Sequence, residues 1–261
     1  MLTGSMAALA RLLVWLHVAA AALAACGPSS DRAVPLPGDA EADYAAVDLA
    51  PIEPRAPSAQ EDLGALVAEG ARARVAVFRG PAADRPWTSL RRAGPFGTPP
   101  VFLVEESRGD WLRVRLPMEP NGSEGWIKSR DVNLYRNDFR IEVDLSSRRL
   151  TAYRGDRILM REAVAVGTAS TPTPTGRFFT TVLVKPDDPS GPYGPYAWGL
   201  SAYSEALDTF AGGDGQVAIH GTNSPWAIGQ AVSHGCVRVD NDAIRRLARL
   251  LPLGTPVEIH R

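Results

Sequence analysis

Apolar positions recur every second residue over most of this chain, and every third or fourth residue in one place near its end. Between residues 66 and 136 the runs ARVAVFRG, PVFLVEES, DWLRVRLP and EGWIKSRDVNLY alternate apolar with polar side chains. Gly, Pro, Asn and Asp separate them, notably at RGD and EPNGSEG. A period of two bounded by turn residues predicts short β-strands, because successive strand side chains face opposite sides. From residue 138 onward, FRIEVDLSSRRLTAYRGDRILMREAVAVG predicts three strands joined by tight turns at SSR and RGD. RFFTTVLVKP and QVAIHG predict two more, VSHGCVRV a turn leading into a strand, and LPLGTPVEI a last turn and strand. The helical period is found over about 241–251, where Ile244, Leu247, Ala248 and Leu251 share one face and Asp240 or Asn241 is placed to cap it. Arg245, Arg246 and Arg249 occupy the opposite, solvated face. The expected fold is mainly β: a β module over 66–136, then a second β domain over 138–261 with one short C-terminal helix.

The first 65 residues follow a different logic. Arg11 precedes the apolar run LLVWLHVAAAALAA, which ends at Cys26. The run is shorter than the roughly 20 residues a membrane-spanning helix needs, and fits the apolar core of a secretory signal peptide. Its ending, LAAC, resembles a bacterial lipobox, which implies cleavage before Cys26 and lipidation of that thiol. Residues 27–65 are rich in Pro, Ala, Asp and Glu without apolar period, as in a flexible linker. A membrane-anchored lipoprotein of the cell envelope or periplasm is expected, with residues 1–26 as signal peptide.

Charge narrows the partners. The 28 Lys and Arg nearly balance the 29 Asp and Glu. Basic residues are scattered and do not interleave with aromatics, which argues against a nucleic-acid partner.

The scarce chemistry lies close together. The chain has four histidines and two cysteines. With Cys26 lipidated, Cys236 is the one thiol left in an exported protein, where oxidising conditions favour pairing, and such an unpaired thiol marks reactivity. A Cys26–Cys236 disulfide and a buried, inert thiol are the plain alternatives. A nearby imidazole draws a thiol toward its nucleophilic form, and both His220 and His234 are on offer. His220 ends a different strand, from which it can face Cys236. Gly235 permits a sharp turn and a close approach of substrate to the backbone amides, which suits an oxyanion.

The segment IHGTNSPWAIGQAVSHGCVRV resembles the signature of the L,D-transpeptidases, the YkuD-type catalytic domain: His-Gly, a loop, then Ser-His-Gly-Cys, an apolar residue and Arg. VAVGTASTPTPTGRF and LPLGTPVEI resemble two further segments of that family, so the likeness spans roughly residues 138–259. It implies a β-sandwich catalytic domain with Cys236 as nucleophile, His220 as base and the Gly221 carbonyl orienting that imidazole. His234 and Gly235 match the stretch lining the oxyanion hole. Arg238 is expected near substrate carboxylates, with a structural ion pair as the plain alternative, and Ser233 and Thr222 are expected on the substrate side. Residues 187–215 depart from the pattern and are expected to form a lid-like insertion. It contains Tyr193, Tyr196, Trp198 and Tyr203, which are expected to line the donor site or to pack the loop, with Trp198 and Tyr203 assigned to the substrate. Upstream, GDWLRVRL and GSEGWIKSRDV resemble a bacterial SH3-like domain through Trp111, Gly125, Trp126 and Ile127.

The resemblance implies acyl transfer on peptidoglycan stem peptides through a Cys236 thioester, forming 3-3 cross-links, by a monomer that needs no cofactor and no metal. With water or a protein amine as acceptor, the same site gives a carboxypeptidase, an amidase or an anchoring enzyme. A zinc site of His220, His234 and Cys236, and a non-catalytic wall-binding lipoprotein, are readings of other classes.

Overall fold

The computed structural model describes residues 64–92, 97–209 and 213–261. The expected signal peptide with Cys26, and the expected linker up to residue 63, lie outside the described residues.

The first β module comprises β1 (Ala65–Gly70), β2 (Arg74–Val77), β3 (Thr88–Arg91), β4 (Val101–Arg108), β5 (Trp111–Arg115), β6 (Glu124–Lys128) and β7 (Val132–Asn137). Five of them form an antiparallel sheet in the order β6-β5-β4-β1-β7, and β2 pairs with β3 as a hairpin. Alternation drives the packing: Val75 and Val77, Leu112 and Val114 point inward against Phe102 and Ile127. β1 is paired on both sides and buries the consecutive Val67 and Ala68. That loss of period two is why ALVAEG does not stand out in the sequence.

The second domain comprises β8 (Phe139–Asp144), β9 (Arg149–Arg154), β10 (Arg157–Ala163), β11 (Val166–Gly167), β12 (Gly176–Val184), β13 (Ala197–Tyr203), β14 (Gln216–His220), β15 (Ala231–Ser233), β16 (Val237–Arg238), α1 (Asn241–Leu250) and β17 (Pro256–His260). Eight strands join in the order β10-β9-β8-β17-β12-β13-β14-β16, and β11 pairs with β15. β12 carries the bend. Gly176–Phe179 pair with β17, whereas Thr180–Val184 pair with β13 through a register shift. A strand that passes from one sheet to the next turns a corner, so the two halves of the sheet close over one shared core. Ile141, Val143 and Leu150 from one half meet Trp198, Leu200 and Ile219 from the other there, with Ile244 and Leu247 of α1. α1 is capped by Asp240, whose carboxylate accepts the Asp242 N–H at 2.8 Å.

Segment 187–215 requires a correction. It is not a lid throughout, because β13 lies within it and is among the most buried strands of the domain. AWGLSAY is covered on both faces, so it lacks alternation, and its Gly and Ser content reads as loop.

The two β parts share apolar surface. Val67, Val101 and Leu103 of the first module pack with Phe179 of β12 and against Leu253. Tyr135 Oη donates to the Leu253 carbonyl at 2.9 Å, and Asn137 Nδ2 donates to Thr255 Oγ1 at 3.1 Å.

Candidate active site

β14 and β16 build the site. They pair in parallel, with Ile219 beside Val237 and His220 beside Arg238. One residue before that pairing stand Ala218, on β14, and Cys236, just ahead of β16, and the Ala218 N–H donates to Cys236 Sγ at 3.4 Å. Alternation along a strand then sets Cys236, His220 and Arg238 on one face, with His220 diagonal to the thiol. The three open onto one cavity of about 170 Å³, together with Tyr193, Ser233 and the exposed His234.

The turn that carries the thiol is held by Ser233. Its buried Oγ donates to the Cys236 carbonyl at 2.6 Å and accepts the Gly235 N–H at 3.1 Å. Gly235 sits at φ +122°, where a side chain is strained. Thr168 N–H and Thr171 Oγ1 both donate to the Ser233 carbonyl, each at 3.1 Å, which ties the turn to the TASTPTPTG segment. Thr173 Oγ1 in turn accepts the Gly167 N–H at 2.8 Å, so this threonine-rich loop braces the site rather than lining it.

His220 is 3% exposed. Its Nδ1 lies 2.6 Å from the Gly221 carbonyl oxygen. A carbonyl only accepts, so Nδ1 carries the proton and Nε2 keeps its lone pair for a proton from elsewhere. Burial, aided by the charge of Arg238, lowers the His220 pKa to about 4, while the Gly221 carbonyl opposes that shift. Burial likewise pushes the Cys236 thiol up, with the Ala218 N–H and Arg238 pulling the other way. Near neutral pH the resting pair is therefore a thiol and a neutral imidazole, not an ion pair. The Tyr193 ring stands edge-on to the His220 ring, with centroids 5.0 Å apart.

Arg238 forms no ion pair with any described residue, and its buried Nε has no hydrogen-bond partner. It is a partly buried cation facing a cavity, the setting in which an anion is bound. Among the described residues no three His, Cys, Asp or Glu side chains gather into a metal-ligand set.

Three expected substrate-side residues lie elsewhere. Trp198 pairs with Ile219, on the opposite side of β13 from the Ala197–His220 pair, and is buried in the core. Tyr203 faces the first module, where its hydroxyl donates to the Pro117 carbonyl at 3.1 Å. Thr222 is buried, its Oγ1 accepting the Ser224 N–H at 2.9 Å. Of the four aromatics named in the 187–215 segment, Tyr193 is the one at the cavity; what the sequence did not single out is the Ala218 amide on the sulfur and Asn241 behind His220. Neither carries a local motif, since each acts across a turn or between strands.

Comparison with known proteins completes the site. Residues 138–259 match the family model for the YkuD L,D-transpeptidase catalytic domain. The YkuD protein of Bacillus subtilis (strain 168), named as an L,D-transpeptidase, is 35% identical over 127 residues, which cover 49% of this chain and 69% of that protein. The chain belongs to the L,D-transpeptidase family. The YkuD protein of Bacillus licheniformis, named likewise, is 38% identical over 121 residues, 46% of this chain and 65% of its own length. The chain thus spans about two thirds of these relatives. A solved structure of an L,D-transpeptidase from Mycobacterium smegmatis is 15% identical at a TM-score of 0.41, covering 62% of this chain and 91% of that one. That likeness is too distant to carry weight. The matched residues coincide with the second β domain, so the cavity described above lies within an L,D-transpeptidase catalytic domain.

Proposed function

We propose that this L,D-transpeptidase domain cross-links peptidoglycan stem peptides through a thioester on Cys236, giving 3-3 links. The observation that carries the reading is the committed imidazole: His220 Nδ1–H donates a hydrogen bond to the Gly221 carbonyl, which leaves the Nε2 lone pair open in the cavity that holds the thiol. Cys236 Sγ attacks the carbonyl carbon of the L-centre at the third stem residue while its proton passes to His220 Nε2. The amide C–N bond breaks as His220 returns that proton to the departing amine of the D-residue. An amine of a second stem then attacks the thioester carbonyl, losing a proton to His220. The sulfur leaves as thiolate, steadied by the Ala218 N–H, and takes the proton back. The Gly235 amide already has an acceptor in Ser233 Oγ, so the oxyanion falls to the Cys236 amide at the same turn. His234 at the cavity rim and Arg238 on its wall are assigned to the substrate, Arg238 to a carboxylate.

The first module, residues 66–136, is assigned as an SH3-like domain, and the first 26 residues as a lipoprotein signal ending at Cys26. On that reading the protein works as a monomer at the cell envelope, held by its lipid. The test is incubation of purified protein with a tetrapeptide muropeptide, with Cys236→Ala alongside, read by mass spectrometry. Loss of the terminal D-residue together with a new dimer, absent in Cys236→Ala, is the expected result. Tripeptide alone would show water as the acceptor, and no acyl adduct at all would reject Cys236 as nucleophile.

A further inference from the structure

We infer that Asn241 is a positioning residue for His220, holding from behind both supports of that imidazole. This rests on reading Cys236 and His220 as the reacting pair. Asn241 is the first residue of α1, yet its side chain turns onto the segment after His220. Its Oδ1 accepts the Thr222 N–H at 2.8 Å, and its Nδ2 donates to the Thr222 carbonyl at 3.0 Å. One side chain thereby satisfies both backbone groups of the residue that follows Gly221, because a carboxamide presents a fixed donor and a fixed acceptor on separate atoms. The Gly221 carbonyl, which accepts the His220 Nδ1–H, belongs to the same planar peptide group as the Thr222 N–H held by Asn241.

The same oxygen sets the second support. A Cβ built on Gly221 would overlap Asn241 Oδ1, and one built on Gly194 would meet it at 2.5 Å and the Gly221 Cα at 2.7 Å. Gly194 also sits at φ +63°, so it is glycine for both reasons. Gly194, Gly221 and Asn241 are therefore packed backbone to carboxamide. Gly194 directly follows Tyr193, the ring that stands edge-on to His220 and lines the cavity. A shift of the Asn241 carboxamide moves the carbonyl that sets the imidazole tautomer and the ring that sets its tilt. The residue touches no reacting atom.

The test uses the full chain labelled with ¹⁵N-histidine, in wild type, Asn241→Ala and Asn241→Asp. Asn241→Asp keeps the acceptor for the Thr222 N–H, loses the donor, and puts a carboxylate at a helix N-terminus, which favours folding. In wild type the His220 imidazole is expected as a single Nδ1–H tautomer. In both variants we expect a mixed tautomer signature. Turnover of the tetrapeptide muropeptide should fall about ten- to a hundredfold in kcat with KM within about twofold, as misplacement of a catalytic group costs. Asn241→Gln should not rescue it, because the longer side chain collides where the glycines leave no room. A folded Asn241→Asp with an unchanged tautomer and unchanged kcat would overturn the inference and reduce Asn241 to a stabilising role. If no variant, wild type included, turns over the muropeptide, the reaction reading fails, while the tautomer signal still decides the role of Asn241.

Discussion

Asn121 brackets the backbone of Tyr203 across 82 residues of sequence: its Nδ2 donates to the Tyr203 carbonyl at 2.8 Å, and its Oδ1 accepts the Tyr203 N–H at 2.9 Å. The first module and the catalytic domain are thereby joined by paired hydrogen bonds as well as by the Val67–Phe179 cluster. Replacing Asn121 by Ala strands two partly buried backbone groups, and is expected to cost about 1–3 kcal/mol. Urea unfolding should show one cooperative transition in both proteins. Two separable transitions in wild type would show that the modules are independent.

Ser233 Oγ bears two bonds that shape the turn carrying the Cys236 thiol, one from the Gly235 N–H and one to the Cys236 carbonyl. Ser233→Ala leaves a partly buried carbonyl and a buried amide unpaired, so a loss on the order of 1–3 kcal/mol is expected, with slower acylation of Cys236. Intact-protein mass spectrometry of the acylation time course checks it. An acylation rate equal to wild type would show that the turn does not depend on the hydroxyl.

His220 links stability to pH. It binds its proton near pH 4 in the folded protein and near its ordinary 6.5 when unfolded. Between those values the unfolded chain holds the extra proton, so stability rises with pH through the window and its full contribution is present above 6.5. A loss on the order of 3 kcal/mol is expected on going from pH 6.5 down to 4. The difference between wild type and His220→Gln isolates the term from the partly exposed His260, whose pKa the Glu142 carboxylate raises. Parallel pH curves for the two proteins would contradict a buried, neutral His220.

Cys236 should behave as a raised thiol until substrate arrives. Alkylation by iodoacetamide is expected to climb through the alkaline range without a plateau at acid pH, because neither thiolate nor imidazolium is favoured in the buried pair. An inflection below pH 7 would instead reveal a resting ion pair.

Arg238 is expected to act in binding. Arg238→Met removes a cation that has no protein partner among the described residues, so folding should be little changed. KM for a stem with free carboxylates should rise about tenfold to a hundredfold, the worth of one charge-assisted hydrogen bond. An unchanged KM with a lowered melting temperature would mark the residue as structural.

Much of the frame was legible in the chain itself. Period two in FRIEVD and WLRVR and period 3.6 in the C-terminal helix report which side of each element is buried, and burial is what forms them. The cluster His220, Gly221, Ser233–Cys236 and Arg238 was legible because glycine, thiol and imidazole at short spacing are uncommon without a chemical reason. β13 was not, since a strand covered on both faces has no alternation. Trp198 and Tyr203 were misjudged because an aromatic in an irregular stretch looks alike whether it faces a cavity, a core or a neighbouring module.

The sequence by itself determined that the chain folds mainly as β-strands with one late helix, that its one described thiol sits in a glycine turn, and that a histidine stands ready on another strand. Only the tertiary structure decided which imidazole nitrogen is left basic, that the thiol rests protonated, and that Asn241, Gly194 and Gly221 meet behind His220. The reason is physical: period and turn chemistry are local, whereas tautomer, desolvation and close backbone packing depend on groups that the chain brings together from tens of residues apart.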